Sequence, residues 1–274
     1  MKPRRPVGKI PIFTLTTDFG LSDSYVAEMK AVLLTHHPAS SIVDVTHLIP
    51  PQDVLAGSLV LERALRTFPA GTIHVAVVDP GVGSARRLLK VDVRGQTVLC
   101  PDNGLITWAW QMHGGGGGGL GADREGGGTA REITWRPAKF SSTFHGRDIM
   151  APIAAQIARG DPLESFSRPV SDPILLNDLS PAAPGHDSAR IIHIDHFGNA
   201  TTNVPHEYIR KLPAVTVKVR NKNIGKLKRT YWDVAPGKPL ALIGSSGLLE
   251  IAVRDGSAHD DLKVRVGDLV HLKP

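Results

Sequence analysis

The residues in this chain best suited to chemistry are carboxylates that close short apolar runs onto glycine turns. In His74 to Arg87, HVAVVDPGVGSARR, a β-branched run stops at Asp79-Pro80-Gly81, and Arg86 and Arg87 bring two guanidinium groups back towards the acid. A carboxylate beside an always-charged guanidinium can orient a polar ligand. The plainer reading of the same residues is a strand cap with an exposed ion pair. Asp18 repeats the pattern in Thr16-Thr17-Asp18-Phe19-Gly20, and Asp44 lies near the end of a third run, Ser41 to Val45. Open α/β sheets bind ligands at the C-terminal ends of their strands, so three acids at such ends point to one ligand-binding edge rather than to three unrelated turn caps.

Other polar groupings follow. Pro101-Asp102-Asn103-Gly104 is a turn whose side chains could face a ligand, with Asn103 the candidate contact. Ser141 to Asp148, SSTFHGRD, precedes an apolar helical stretch, so its hydroxyls and Asp148 can cap that helix while His145 faces a cleft. Asp195-His196-Phe197-Gly198-Asn199 and Ser245-Ser246-Gly247, the latter leading into Leu249-Glu250, place amides and small hydroxyls beside an aromatic ring. That combination suits a purine, which needs stacking on its face and donor–acceptor pairs at its edge. Two ordinary β-turns would account for the same residues.

The elements that must position these groups alternate. Ile10–Leu15, Ser41–Val45 and His74–Val78 read as strands; a helix capped by Ser22-Asp23 runs to about His36, and a second spans Asp53–Leu65. This order predicts a mostly parallel sheet with crossover helices. A strand pair follows at Leu88–Val93 and Gln96–Leu99, then helices at Ile106–Met112 and Ile149–Ala158. Asp161–Ile174 has a linker's polar, proline-containing character. From Ala189 onward, short alternating strands at 190–194, 214–219, 240–243, 249–253 and 269–272 predict a small antiparallel barrel or sandwich. The expected organisation is an α/β domain over 8–170, a linker over 171–188 and a β-barrel domain over 189–274. The segment 113–128, with six consecutive glycines, is expected to be a disordered surface insertion. It lacks the strand, helix and lysine of a phosphate-binding loop.

Composition narrows the function. The 274 residues, 41% hydrophobic and 21% charged, suffice for a substantial core. The net charge of +6 is spread along the chain except for Arg220 to Arg229, which reads as a solvated hairpin edge rather than a nucleic-acid surface. The one cysteine, Cys100, excludes an intramolecular disulfide and reads as core filler. With no run of about 18 apolar residues and no signal-like start, a cytoplasmic protein without membrane or nucleic-acid partners is expected.

Six stretches then combine in one order: TDFGLSDSYV from Thr17, IVDVTHLIPPQDV from Ile42, VVDPGVGSARR, PDNG, FHGRDIMAP from Phe144 and DHFGNATTN from Asp195. Together they resemble the S-adenosyl-L-methionine (SAM) hydroxide adenosyltransferases, the adenosine-forming SAM hydrolases related to SAM-dependent fluorinase and chlorinase. The resemblance implies an N-terminal α/β domain, a C-terminal β-barrel, and a homotrimer whose SAM sites lie between neighbouring subunits. It places a water-activating set on Asp79, Arg86 and His145, puts Asp18 on the ribose hydroxyls and Asp23 near the methionine moiety, and assigns Phe197, Asn199, Ser245 and Ser246 to the adenine and methionine pockets. Asp195 and Glu250 join the candidate substrate-binding residues. SAM is then the substrate, with no cofactor and no metal.

The chemistry fits these residue types. The sulfonium of SAM leaves C5′ as a neutral thioether, so no general acid is required and the demand falls on aligning and deprotonating water. Which of Asp79 and His145 takes the proton does not follow from sequence. A halogenase is the alternative, but a carboxylate at position 79 would repel a halide. A non-enzymatic SAM- or adenosine-binding protein is a third reading. A dinucleotide enzyme is disfavoured because Gly81-Val82-Gly83-Ser84-Ala85-Arg86 lacks the third glycine of the phosphate-binding fingerprint.

Overall fold

The computed structural model describes residues 10–114, 128–163, 165–177, 181–182, 189–210, 212 and 215–273. The expected glycine insertion falls almost wholly outside them. Two compact units divide between Leu176 and Asn177.

The first unit contains β1 (Ile12–Thr17), α1 (Tyr25–His36), β2 (Ser41–Thr46), α2 (Val54–Thr67), β3 (Ile73–Val77), β4 (Leu88–Val93), β5 (Gln96–Pro101), α3 (Thr107–Met112), β6 (Thr129–Ile133), α4 (Ala151–Arg159) and β7 (Ser167–Val170). Its strands form one sheet in the order β2-β1-β3-β5-β4-β6-β7. The expected mostly parallel sheet is half of this: β2, β1, β3 and β5 pair in parallel, and the remaining pairings are antiparallel. The change of direction follows from the two-residue turn Arg94-Gly95, with both residues at positive φ, which folds β4 straight onto β5. The stretch 161–174 is not simply a linker, because Ser167–Val170 is the edge strand beside β6.

Strand β3 shows why the sheet is a middle layer. Val75 and Val77 pack into an apolar cluster with Met29, Leu33, Ile149 and Ile153, whereas Ala76 and Val78 pack with Ala56, Leu61, Leu105 and Ile106. Alternate side chains therefore meet helices on opposite faces, which is why the run is apolar without interruption. Asp53 caps α2 by accepting from Ala56 N. The cap of α1 lies at Ser24 rather than Ser22-Asp23, and the Ser24 hydroxyl turns to Glu28 instead of to the helix backbone. Cys100 is fully buried, and burial pushes its thiol pKa far up, as expected of core filler.

The second unit contains β8 (Ile191–Ile194), β9 (Ala200–Pro205), α5 (His206–Ile209), β10 (Thr216–Val219), β11 (Lys222–Lys226), β12 (Pro239–Ile243), β13 (Leu248–Val253), α6 (Ala258–Leu262) and β14 (Val270–Lys273). They make two antiparallel sheets, β11-β10-β14 and β12-β13-β9-β8, linked by isolated bridges Arg190–Leu269 and Leu227–Ala241. A closed barrel is not found among the described residues. The basic run at 220–229 is the edge hairpin that the sequence suggests. Strand β9 is the element the sequence hides, because its Thr201-Thr202-Asn203 reads as a polar loop.

His74, at the centre of the parallel half, is 1% exposed. Gln96 Nε2 donates to Leu65 O (2.8 Å), which turns Gln96 Oε1 towards His74 Nε2 (2.7 Å) and leaves His74 Nδ1 to accept from the Thr14 hydroxyl (2.7 Å). The ring is thus held neutral, and burial lowers its pKa below the ordinary 6.5 despite the Gln96 hydrogen bond. The unfolded chain takes up this proton first as pH falls, so stability declines from about pH 6.5 down to the depressed folded-state value. The thermal midpoint is expected to drop between about pH 7 and pH 5, and to drop less steeply in His74→Phe, as read by calorimetry across that range.

Candidate active site

Strand β3 delivers Asp79 to the C-terminal edge of the sheet, and the loop from Pro80 to Ser84 returns Arg86 against it. Arg86 Nε donates to Asp79 Oδ1 (2.6 Å) and Nη2 to Asp79 Oδ2, a bidentate pair whose side chains are 7% and 5% exposed respectively. The exposed ion pair that the same residues allowed is therefore excluded. Arg87 does not share this acid: it donates to Asp102 (2.6 Å) and to Asp172 (2.9 Å).

His145 arrives from the other side. It precedes a π-helical turn, Gly146–Met150, that runs into α4. Gly146 lets that turn lie on β3, since a Cβ there would meet Met29 Sδ at 3.3 Å and Val77 Cγ2 at 3.4 Å. His145 Nδ1 lies 3.1 Å from Arg86 Nη2. Arginine only donates, so Nδ1 accepts, and the neutral ring carries its proton on Nε2. Burial and the Arg86 charge lower the His145 pKa, against an opposing contribution from Asp79, which keeps the ring neutral near pH 7. Arg86 Nη1 is buried without a hydrogen-bond partner among the described residues.

Asp79 and His145 line a cavity of about 270 Å³ with Asp18, Phe19, Gln52, Val77, Pro80, Val82, Thr143, Phe144 and Gly146, and Arg86 lies behind them, hydrogen-bonded to both. Asp18 accepts from Gln52 N (2.8 Å), a backbone donor presented at φ 67°. Phe19, Tyr25 and Phe144 meet edge to face, with ring centroids 5.4–5.8 Å apart, and form an aromatic wall. Gln52 and Thr143 are contributors that sequence reasoning passed over. Gln52 had no side-chain signal, because its backbone N–H makes the contact.

Two expected residues stand elsewhere. Asn103 Nδ2 donates to Val78 O (2.9 Å) and its Oδ1 accepts from Leu105 N (3.2 Å), so it braces the end of β3 and does not line the cavity. Asp23 is exposed before α1 and also lies outside the lining.

In the second unit, Asp195 Oδ1 accepts from Phe197 N and Asn199 N (both 2.9 Å), and its Oδ2 accepts from Asn199 Nδ2 (3.2 Å). This turn projects Phe197 outward, 74% exposed. Glu250, opposite Thr201 in the β13–β9 register, accepts from the Tyr231 hydroxyl (2.5 Å). Ser245 and Ser246 occupy the turn between β12 and β13, closed by Gly244 N to Leu248 O. Tyr231, with the 79% exposed Trp232 beside it, was missed; a polar partner for a tyrosine nineteen residues away leaves no local pattern.

A carboxylate and a neutral imidazole on one cavity, joined by a guanidinium behind them, define a site for holding and activating a small polar nucleophile. Among the described residues no helix is long and apolar enough to cross a membrane, and no His, Cys, Asp and Glu cluster could hold a metal. The chain belongs to the SAM hydroxide adenosyltransferase family: residues 13–167 match its N-terminal domain and 189–271 its C-terminal domain. It is 39% identical over 270 residues to the (R)-S-adenosyl-L-methionine hydrolase of Salinispora tropica, covering 96% of this chain and 97% of that protein. A fluorinase of Nocardia brasiliensis is more distant, 27% identical over 302 residues with 97% and 98% covered. The fold matches the crystal structure of an uncharacterized conserved protein from Thermotoga maritima at a TM-score of 0.80 and 33% identity, covering 96% of this chain and all of that one.

Gly83 tests how tightly the site is drawn together. Its φ is +82°, and an added Cβ would lie 2.7 Å from Ser142 O, in the segment that leads to His145. Gly83→Ala is expected to cost about 1–3 kcal/mol of stability and to slow turnover, measured by denaturant unfolding and rate assay on one preparation.

Proposed function

We infer that this protein hydrolyses SAM to adenosine and L-methionine by attack of water at C5′. The observation that carries the reading is the hydrogen-bonded trio of Asp79, Arg86 and His145, whose acid and imidazole open onto one cavity, in a chain of this family. The water oxygen forms a bond to C5′ while the C5′–S bond breaks, and its electron pair neutralises the sulfonium. One water proton must leave.

The hydrogen-bond directions favour Asp79 as its acceptor. His145 already holds a proton on Nε2 and has its Nδ1 lone pair on Arg86, so it can donate to the water oxygen but cannot take a proton without giving up one of those arrangements. Asp79 accepts only one hydrogen bond per oxygen from Arg86, and a carboxylate oxygen has a second lone pair to offer. The unpartnered Arg86 Nη1 supplies positive charge for a nucleophile that becomes hydroxide-like. Asp18 is assigned to the ribose hydroxyls, Asp23 to the methionine side, and Phe197, Asn199, Ser245, Ser246, Asp195 and Glu250 to the remaining substrate contacts. Similarity to fluorinase raises halide as a rival nucleophile, but the buried carboxylate at position 79 opposes an anion there.

Asp79→Asn and Asp79→Ala are expected to lose about 10²-fold or more in turnover while still binding SAM. Adenosine release followed by chromatography, with and without chloride, and calorimetric SAM binding provide the check. Unchanged hydrolysis in both variants would remove the assignment; chloride-dependent formation of a chlorinated nucleoside in place of adenosine would favour the halogenase.

The proposal includes the family's barrel in the second unit and a homotrimer in which two chains share each site. Outward-facing Phe197 and Trp232 support it, since exposed rings of this size suit a contact with another chain. Asp18→Ala and Asn199→Ala chains, each inactive alone, are expected to recover part of the activity when mixed and reassembled, because some sites then carry neither change. Full activity in a species that light scattering shows to be monomeric would refute the shared site.

A further inference from the structure

Of the three strand-end acids, Asp44 does not line the cavity. It accepts from Lys30 Nζ at Oδ2 (2.6 Å), and its Oδ1 lies 3.0 Å from His47 Nε2. His47 is 3% exposed and is not among the residues lining the Asp79 cavity, yet its other nitrogen, Nδ1, lies 2.9 Å from Thr17 Oγ1. Thr17 Oγ1 also accepts from Phe19 N (3.2 Å). The Asp44 carboxylate, which only accepts, faces Nε2 and places the ring proton there, so Nδ1 is left to accept from the Thr17 hydroxyl. The His47 carbonyl accepts from Gly20 N (2.8 Å). One residue therefore holds the Thr17–Gly20 corner at two points, and Asp18 and Phe19, between those points, both face the cavity.

The backbone is arranged for this. The β1–β2 register shifts between Leu15 and Thr16, pairing Leu15 with Asp44 but Thr16 with Thr46. Such an irregularity re-aims the residues beyond it, and it carries the chain past Thr46 to set His47 beside Thr17. Burial pushes the Asp44 carboxyl upward, but the hydrogen bond from Lys30 and the close contact of the His47 imidazole outweigh this and hold it below the usual range, so it remains an anion for the imidazole to face.

We propose that His47 is a positioning residue for SAM: acting through Thr17, and anchored by Asp44, it sets the angle at which Asp18 meets the substrate ribose. The proposal rests on the assignment of Asp18 to the ribose hydroxyls. A residue that only stabilises the fold would affect every substrate alike, whereas one that aims Asp18 matters only where there is a hydroxyl to receive.

The test compares SAM with its analogue lacking both ribose hydroxyls, using wild type, Asp18→Asn, Thr17→Val and His47→Phe. With SAM, Thr17→Val and His47→Phe are each expected to lower kcat/KM by about 10-fold, chiefly through KM, as a misaligned hydrogen-bonding group does. With the analogue the loss is expected to shrink to about 2-fold or less. His47→Asn, whose amide can occupy the Nδ1 position and meet Thr17, should recover most of the SAM activity; His47→Gln, which reaches towards Asp44 instead, should not. Should His47→Phe not fold, the nearly isosteric Thr17→Val carries the comparison. Equal losses on both substrates for Thr17→Val, with Asp18→Asn remaining selective, would overturn the role of His47 alone. An Asp18→Asn loss of equal size on both substrates would overturn the ribose assignment and this proposal with it.

Discussion

The first unit depends on the buried pairing of Asp79 with Arg86. Removing two charges from water is costly, and the attraction between them compensates only when the geometry is bidentate and the surroundings polar. Both conditions are met, since Arg86 grips both carboxylate oxygens and its outer edge meets His145. Either charge left alone would be strongly destabilising, about 3–5 kcal/mol for a buried pair broken on one side. The glycine turn that returns Arg86, the close approach of Ser142 to Gly83, and the seat of Gly146 on β3 are the local arrangements that make this pairing geometrically attainable.

Around that pair, neighbouring residues of the same type do different work. Arg86 joins Asp79 to His145, whereas Arg87 ties the β4 strand to Asp102 and Asp172 and so holds down the chain after β7. Asp18 and Asp79 open onto the cavity, whereas Asp44 stands behind the Asp18 corner, beside Lys30 and His47. His145 and His74 are both neutral with lowered pKa values, but only one is beside reactive groups; the other fills its hydrogen-bonding capacity with Thr14 and Gln96 inside the sheet. Chemical type alone does not distinguish these pairs; the strand or turn that presents each member does.

That distinction also explains what the sequence could reveal. Period and composition locate β1 to β5, α2 and most strands of the second unit, because the apolar runs are long enough to dictate their own burial. The strand-end acids are legible for the same reason, and the order of six polar stretches carries the family. Three things were not legible. The antiparallel half of the sheet beyond the β4–β5 pair was not, because β6 follows the glycine-rich stretch and a short β7 has Ser167-Arg168-Pro169, which reads as loop. The work of Asn103 was not, because an amide that braces a turn and one that binds a ligand look identical in one dimension. Gln52 and Tyr231 were not, because a backbone donor and a partner nineteen residues away leave no pattern in the letters nearby.

The π-helical turn at Gly146–Met150 has a consequence for how such a site can arise or be lost. A π turn is an α-helical turn with one additional residue, and each residue of an α-helix advances the direction of its side chains by about 100°. The angle between His145 and the face of α4 that packs on the sheet is therefore set by chain length as well as by the glycine that seats the turn on β3. An in-frame loss of one codon here would let the helix run regularly, keep its apolar face buried, and rotate the imidazole away from Arg86. Helix register at this turn, and not only residue identity, therefore decides whether the imidazole meets Arg86.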